Sequence, residues 1–247
     1  MAPSQFTGGR KLSLALLGFT CFTVLFAFCV SSFASEADRA RDQGRKPAEV
    51  VAFYGIATSQ TVVDVGAGGG YFTEFFAKAV GKNGTVIAQQ NTRMYDKVKG
   101  EFADKLALPN VKVIFEPSDK TGLADNSADV VFLSLLWHHM HYAEGQGEVL
   151  PENSKKTLGE FKRILKPGGI FAVIDHRALD KATRSESAAL HRAPQQQTID
   201  DIVAQGFEFV GASEALAMPA DPRNVAMRDV TRDETDRMML KFRKPAS

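Results

Sequence analysis

The sequence predicts an α/β protein: a mostly parallel sheet with helices on both faces. Two observations carry this. Short β-branched or wholly apolar runs recur at 62–65, 85–89, 111–115, 130–136 and 170–174, and helix-spaced stretches or loops separate them. The first run also passes through a glycine-rich turn directly into an amphipathic segment, within VVDVGAGGGYFTEFFA at residues 62–77. Val62, Val63 and Val65 suit a strand buried on both faces. Gly66, Gly68, Gly69 and Gly70 permit a tight turn that a ligand can approach closely. Phe72, Phe75, Phe76 and Ala79 then recur at helical spacing. Such a unit collects free backbone N–H groups at a helix start, where a cofactor can lie.

The remaining elements follow in order. Residues 36–56 read as helix, polar at first and apolar at Val50, Val51, Phe53 and Tyr54, with Pro47 dividing it. This segment either caps the cofactor turn or covers the sheet. A helix is expected at 94–106, stopped by Pro109, and another after Ser154 as N-cap, burying Leu158, Phe161, Ile164 and Leu165. Pro167-Gly168-Gly169 turns the chain into the fifth strand, and a helix at 198–205 and strands at 207–210 and 238–242 complete the pattern.

At 247 residues, 44% hydrophobic and 24% charged, the composition is globular rather than disordered. Only the start departs from it. Arg10 and Lys11 precede an uncharged run over 12–30, and Ser32-Phe33-Ala34 follows. This is the form of a secretory leader cleaved after Ala34, and the length of the run leaves an uncleaved anchor as the alternative. Residues 35–247 are then one domain. Without 1–34, 28 basic residues face 29 acidic ones, and both cysteines, Cys21 and Cys29, are gone. A near-neutral balance opposes a broad nucleic-acid face, and a thiol-free chain has neither disulfides nor cysteine chemistry.

The order of motifs resembles the class I S-adenosylmethionine-dependent methyltransferases. Asp64 and Gly66-Ala67-Gly68-Gly69-Gly70 match that family's acid and GxGxG turn, and Tyr71 stands where a nicotinamide-binding turn needs a further glycine. LADNSADVVFLSLLWHH at 123–139, with Asp119 four residues earlier, is similar to the family's strand-four region. LGEFKRILKPGGIFAVID at 158–175 resembles its strand-five region. The resemblance implies a Rossmann-like class I methyltransferase fold with a seven-stranded sheet whose last strand is antiparallel, and S-adenosyl-L-methionine as cofactor. It assigns Asp64 to the methionyl ammonium, Gly66, Ala67, Gly68 and Gly70 to the cofactor turn, and Asp119 to the adenine amino group. Gln90 falls where the family places a ribose-binding acid, and an amide gives up that acid's charge-assisted bonds.

A narrower likeness runs through RKPAEVVAFYGI at 45–56, IDHRA at 174–178, LHR at 190–192 and TDRMMLKFRKP at 235–245. These elements resemble a group of bacterial methyltransferases with secretion signals, which implies an extracytoplasmic location. The expected acceptor is a small molecule. A non-catalytic nucleoside- or metabolite-binding module on the same fold is the alternative.

For catalysis, His138 and His176 lie at expected strand ends, where either can serve as base or simply pack. His138-His139-x-His141 has the look of a metal cluster, but neighbouring side chains on strand-like backbone point apart, so no metal is expected. Tyr71 and Trp137 either line a substrate pocket or belong to the core.

Overall fold

The computed structural model describes residues 36–246 apart from 94, 98, 99, 101–107 and 232. The leader and most of the helix expected at 94–106 lie outside the described residues. Seven strands form one sheet: β1 (Thr61–Val65), β2 (Thr85–Gln89), β3 (Val111–Ile114), β4 (Ala128–Ser134), β5 (Leu165–His176), β6 (Glu208–Ser213) and β7 (Arg237–Arg243). Their order is β3-β2-β1-β4-β5-β7-β6. The pairs among β1 to β5 are parallel, and β7 runs antiparallel to both β5 and β6. The central position of β1 places the glycine turn where the order reverses, the usual ligand crevice of open α/β sheets.

Strand alternation sorts the core into two layers. Val63 and Val65 of β1, with Val131, Leu133, Phe171 and Val173, pack against the helix α4 (Glu152–Ile164) through Leu158, Phe161 and Ile164. Helix α6 (Gln195–Ala204) adds Ile202 to that layer. On the other face, Val62, Val130, Phe132, Ala172 and Ile174 meet α2 (Pro47–Tyr54) through Val50 and Tyr54. Helix α3 (Tyr71–Val80) joins them through Phe72, Phe76 and Val80. Asp64 has the parity of Val62 and so turns toward α3, where the Thr73 hydroxyl donates to its Oδ2 at 2.6 Å.

The first helical segment divides at Pro47 as expected, into α1 (Glu36–Arg45) and α2. Helix α1 is tied down by long-range bonds. The Tyr71 hydroxyl donates to Asp42 at 2.5 Å, Arg45 pairs with Asp233 at 2.8 Å, and Arg237 donates to the Gly44 carbonyl at 2.9 Å.

Four local expectations are corrected. The fourth strand ends at Ser134 rather than 136, because Leu135 takes a left-handed φ of 57° and breaks the extended run. A single 3-10 turn, Trp137–His139, follows. Ser154 does not cap α4: Pro151 holds the N-cap position, and the Ser154 hydroxyl donates instead to the Met140 carbonyl at 2.5 Å. An additional short helix, α5 (Arg184–Ala189), starts in a capping box between Thr183 and Glu186.

Candidate functional site

The glycine turn is held by amides. Gly66, Gly68 and Gly70 all have positive φ, at 61°, 56° and 74°. The side chain of Gln89, at the end of β2, accepts from Gly66 N–H at 3.0 Å and donates to the Glu116 carbonyl at 2.8 Å, stitching two loops together. Its own backbone carbonyl accepts from Ala67 N–H at 3.1 Å. Gln90 donates from Nε2 to the Gly68 carbonyl at 2.5 Å, and its Oε1 is buried with no partner. At Gly66 a Cβ would come within 2.3 Å of Leu136 Cδ1, the movable end of that side chain, so the left-handed φ rather than packing is what calls for glycine.

Beside this turn is a cavity of about 570 Å³, lined at the carboxyl ends of three neighbouring strands by Val65, Gln89 and Leu133. That volume suits a small molecule of cofactor size. Gly66, Gly68, Gln90 and Asp119 all border it, as do Phe115 and Met140. Asp64, Ala67 and Gly70 do not border it: Asp64 is buried against Thr73, Ala67 bonds within the turn, and Gly70 is the N-cap of α3. Burial pushes the Asp64 carboxyl up to about 7, with the Thr73 hydroxyl acting in the opposite sense. Tyr71 and Trp137 are buried and off the cavity wall, so they are packing residues. The Tyr71 ring also carries the Arg45 guanidinium, 4.9 Å from its centroid.

A second group of side chains gathers beyond β4 and β5. Asp175 is fully buried and has the parity of Phe171 and Val173. Its carboxylate accepts from His138 Nδ1 at 2.7 Å and from His138 N–H at 2.8 Å. It also accepts from the backbone of His176 at 2.6 Å. The 3-10 turn brings His138 and His139 together, with their Nε2 atoms 3.1 Å apart; the divergence expected of strand-like backbone does not occur. His191 lies 5.6 Å from the His138 ring and 5.4 Å from that of His139, centre to centre. Among the described residues no three His, Cys, Asp or Glu side chains are disposed to hold a metal ion.

The histidines differ in charge preference. Burial opposes charging His138, but the Asp175 carboxylate outweighs it and raises its pKa above the ordinary imidazole value. His176 is depressed to about 4, first by burial and then by His138, Arg237 and Arg192, against the pull of Asp175. Its Nδ1 shares a hydrogen bond with the Thr235 hydroxyl at 2.8 Å, and its Nε2 is buried without a partner. His141 is likewise depressed to about 4, chiefly by burial, and bonds to Ser187 at 2.9 Å. Arg192 and Asp221, both fully buried, pair at 2.7 Å and brace the segment that carries His191. Sequence reasoning assigned no role to Gln89, Asp175 or Arg192. A run of two glutamines beside the turn was the available signal for the first; the other two depend on contacts across many residues.

Residues 63–173 match the family described as "Methyltransferase domain". The ubiquinone/menaquinone biosynthesis C-methyltransferase UbiE of Hydrogenovibrio crunogenus is 30% identical over 122 residues, covering 49% of this chain and 44% of that protein. UbiE of Citrobacter koseri is 24% identical over 188 residues, covering 74% and 70%. The chain thus spans about half the length of the first relative. A SAM-dependent methyltransferase structure from Aquifex aeolicus superposes with a TM-score of 0.60 at 24% identity, over 83% of this chain and 92% of the other. The matched stretch is a methyltransferase domain, and its fold is that of S-adenosylmethionine-dependent methyltransferases.

Proposed function

We propose that this protein is an exported enzyme that transfers a methyl group from S-adenosylmethionine to a small molecule. The observation that carries the reading is the cavity under the glycine turn, bordered by Gly66, Gly68, Gln90 and Asp119 at the carboxyl ends of the strands. The orphaned Gln90 Oε1 fits a ligand hydroxyl there, and the left-handed glycines leave room for a cofactor against the backbone.

In this reading, Gln90 reads the ribose hydroxyls and Asp119 accepts from the adenine amino group, while Asp64, buried against Thr73 and off the cavity wall, supports the turn from behind. Gly66 and Gly68 let the backbone close on the ligand, and Gln89 keeps the turn in place. The bound cofactor supplies an electrophilic methyl carbon on a positively charged sulfur. The protein's work is to align the acceptor with that carbon and exclude competing water. UbiE enzymes are named for C-methylation in quinone biosynthesis, which supports a small acceptor, and the leader at 1–34 supports export.

Calorimetry on the chain beginning at residue 35, with S-adenosylmethionine as titrant, tests the cofactor site. Saturable binding that Asp119→Ala weakens at least fivefold is expected. Binding that survives both Asp119→Ala and Gln90→Ala unchanged would place the ligand elsewhere. Tight binding without transfer to any component of a small-metabolite extract would favour the binding module.

A further inference from the structure

We propose that Asp175 and His138 form the proton-accepting pair for an acceptor with an ionisable hydroxyl, a phenol or an enol. This rests on the methyltransferase reading above and names the acceptor class of that same site.

The geometry has three parts. Asp175 accepts from His138 Nδ1 at 2.7 Å, which fixes the neutral ring with its proton on Nδ1 and its lone pair on Nε2. Among the described residues, that Nε2 is met by Nε2 of His139, whose side chain is exposed. A histidine serving the fold alone would end on a fixed buried group; this one ends on a surface ring that a ligand can displace. Finally, Leu136 and Met140, which flank the turn Trp137–His139, both line the cofactor cavity. The pair therefore sits on the segment that walls the cofactor site, although His138, Asp175 and His176 do not themselves border the cavity.

The surroundings select the acceptor. His138 is faced by Asp175 and His176 from β5, by His139 and His141 from its own segment, and by His191 from the stretch after α5. Arg237 and Arg192 add positive charge at His176. At His138 the Asp175 carboxylate prevails, so the ring takes up a proton readily, which suits an acceptor that must lose one as its oxygen becomes the nucleophile. An acceptor that carries no proton needs no such pair. His176, depressed to about 4 and bonded through Nδ1 to Thr235, holds a proton too weakly to serve in its place.

In the step, the acceptor hydroxyl takes the place of His139 at His138 Nε2 and gives its proton to that nitrogen. The oxygen's electron pair forms the new O–C bond with the methyl group. The C–S bond breaks with its pair moving to sulfur, and a neutral thioether departs. The proton on His138 then passes through the returning His139 to water.

Two measurements test this on the chain from residue 35. With histidine-selective 15N labelling, neutral His138 is expected to carry its proton on Nδ1 and to titrate above free imidazole. Asp175→Asn is expected to lower that pKa. A proton on Nε2 in the wild type would overturn the proposal even if no variant folds. In the second measurement, S-adenosylmethionine is supplied with phenol or with 4-nitrophenol, which is already ionised at pH 8. His138→Gln is expected to slow methylation of phenol by about 100-fold or more, and that of 4-nitrophenolate by less than about threefold. Calorimetric affinity for S-adenosylmethionine should be unchanged. An equal loss on both acceptors, or none on either, overturns the base role. A wild type that binds S-adenosylmethionine yet methylates neither phenol overturns the acceptor class, whereas failure to bind it refutes the cofactor reading instead.

Discussion

The two halves of the site are built from different materials. On the cofactor side, backbone and neutral amides do the holding: three left-handed glycines, and two glutamines bonded to the Gly66 N–H and the Gly68 carbonyl. On the acceptor side, charge is buried: Asp175 and Arg192 are fully enclosed, and Asp221 and His138 are nearly so. The contrast follows from the tasks. A ligand shared by a whole family can be gripped by main chain, which is local and insensitive to side-chain identity. Proton handling needs side chains with shifted pKa values, and these must be enclosed and braced.

The largest expected difference between the halves is in stability. Arg192→Ala leaves Asp221 buried without its partner, and a cost of about 3 to 5 kcal/mol in urea unfolding is expected. A smaller loss would mean that this side relaxes around the missing charge.

The halves should also respond oppositely to pH. Asp64, raised to about 7 from an unfolded value near 4, contributes stability that is complete below pH 4 and is lost as pH rises through 7. His176 and His141, depressed to about 4 from about 6.5, contribute stability present above 6.5 and lost as pH falls through 4. Relative to wild type, Asp64→Asn should therefore gain stability as pH rises from 4 to 8, and His176→Gln as it falls from 7 to 4. Unfolding midpoints at matched pH values check both; parallel trends would erase the distinction.

Gly66→Ala should cost about 1 to 2 kcal/mol, the cost of a left-handed non-glycine residue, because Leu136 can swing aside at its flexible end. A strictly cofactor-side effect would leave the His138 titration unmoved. Gln90→Ala should be the mildest, weakening S-adenosylmethionine roughly fivefold, or about 1 kcal/mol, for one neutral hydrogen bond. A loss of a hundredfold would show that the amide does more than its neutral bonds permit.

Legibility in the sequence divides along the same line. The strand, turn and first helix at 62–80 were readable because every determinant is local: three valines, positive-φ glycines and aromatic residues at helical spacing. The pairing of Asp175 with His138 was not, since the two are 37 residues apart and meet only when β4 and β5 lie side by side. The convergence of His138 and His139 was misread because the apolar run 130–136 continues the strand pattern past Leu135, whose left-handed backbone no residue type announces. Helix α5 did have a signal, Thr183 followed three residues later by Glu186, but six residues give too little periodicity to reveal it.

The ties of α1 and α2 have a consequence for the order of assembly. Arg45 meets Asp233, Gly44 meets Arg237, and Phe53 meets Lys241, at sequence separations of 188, 193 and 188 residues. These contacts close loops of nearly two hundred residues, so the closure entropy is recovered only once both segments are present. Until residues 233–241 emerge, Gly44, Arg45 and Phe53 wait without their partners. The clamp beside Tyr71 therefore sets only after residues 233–241 are available to it.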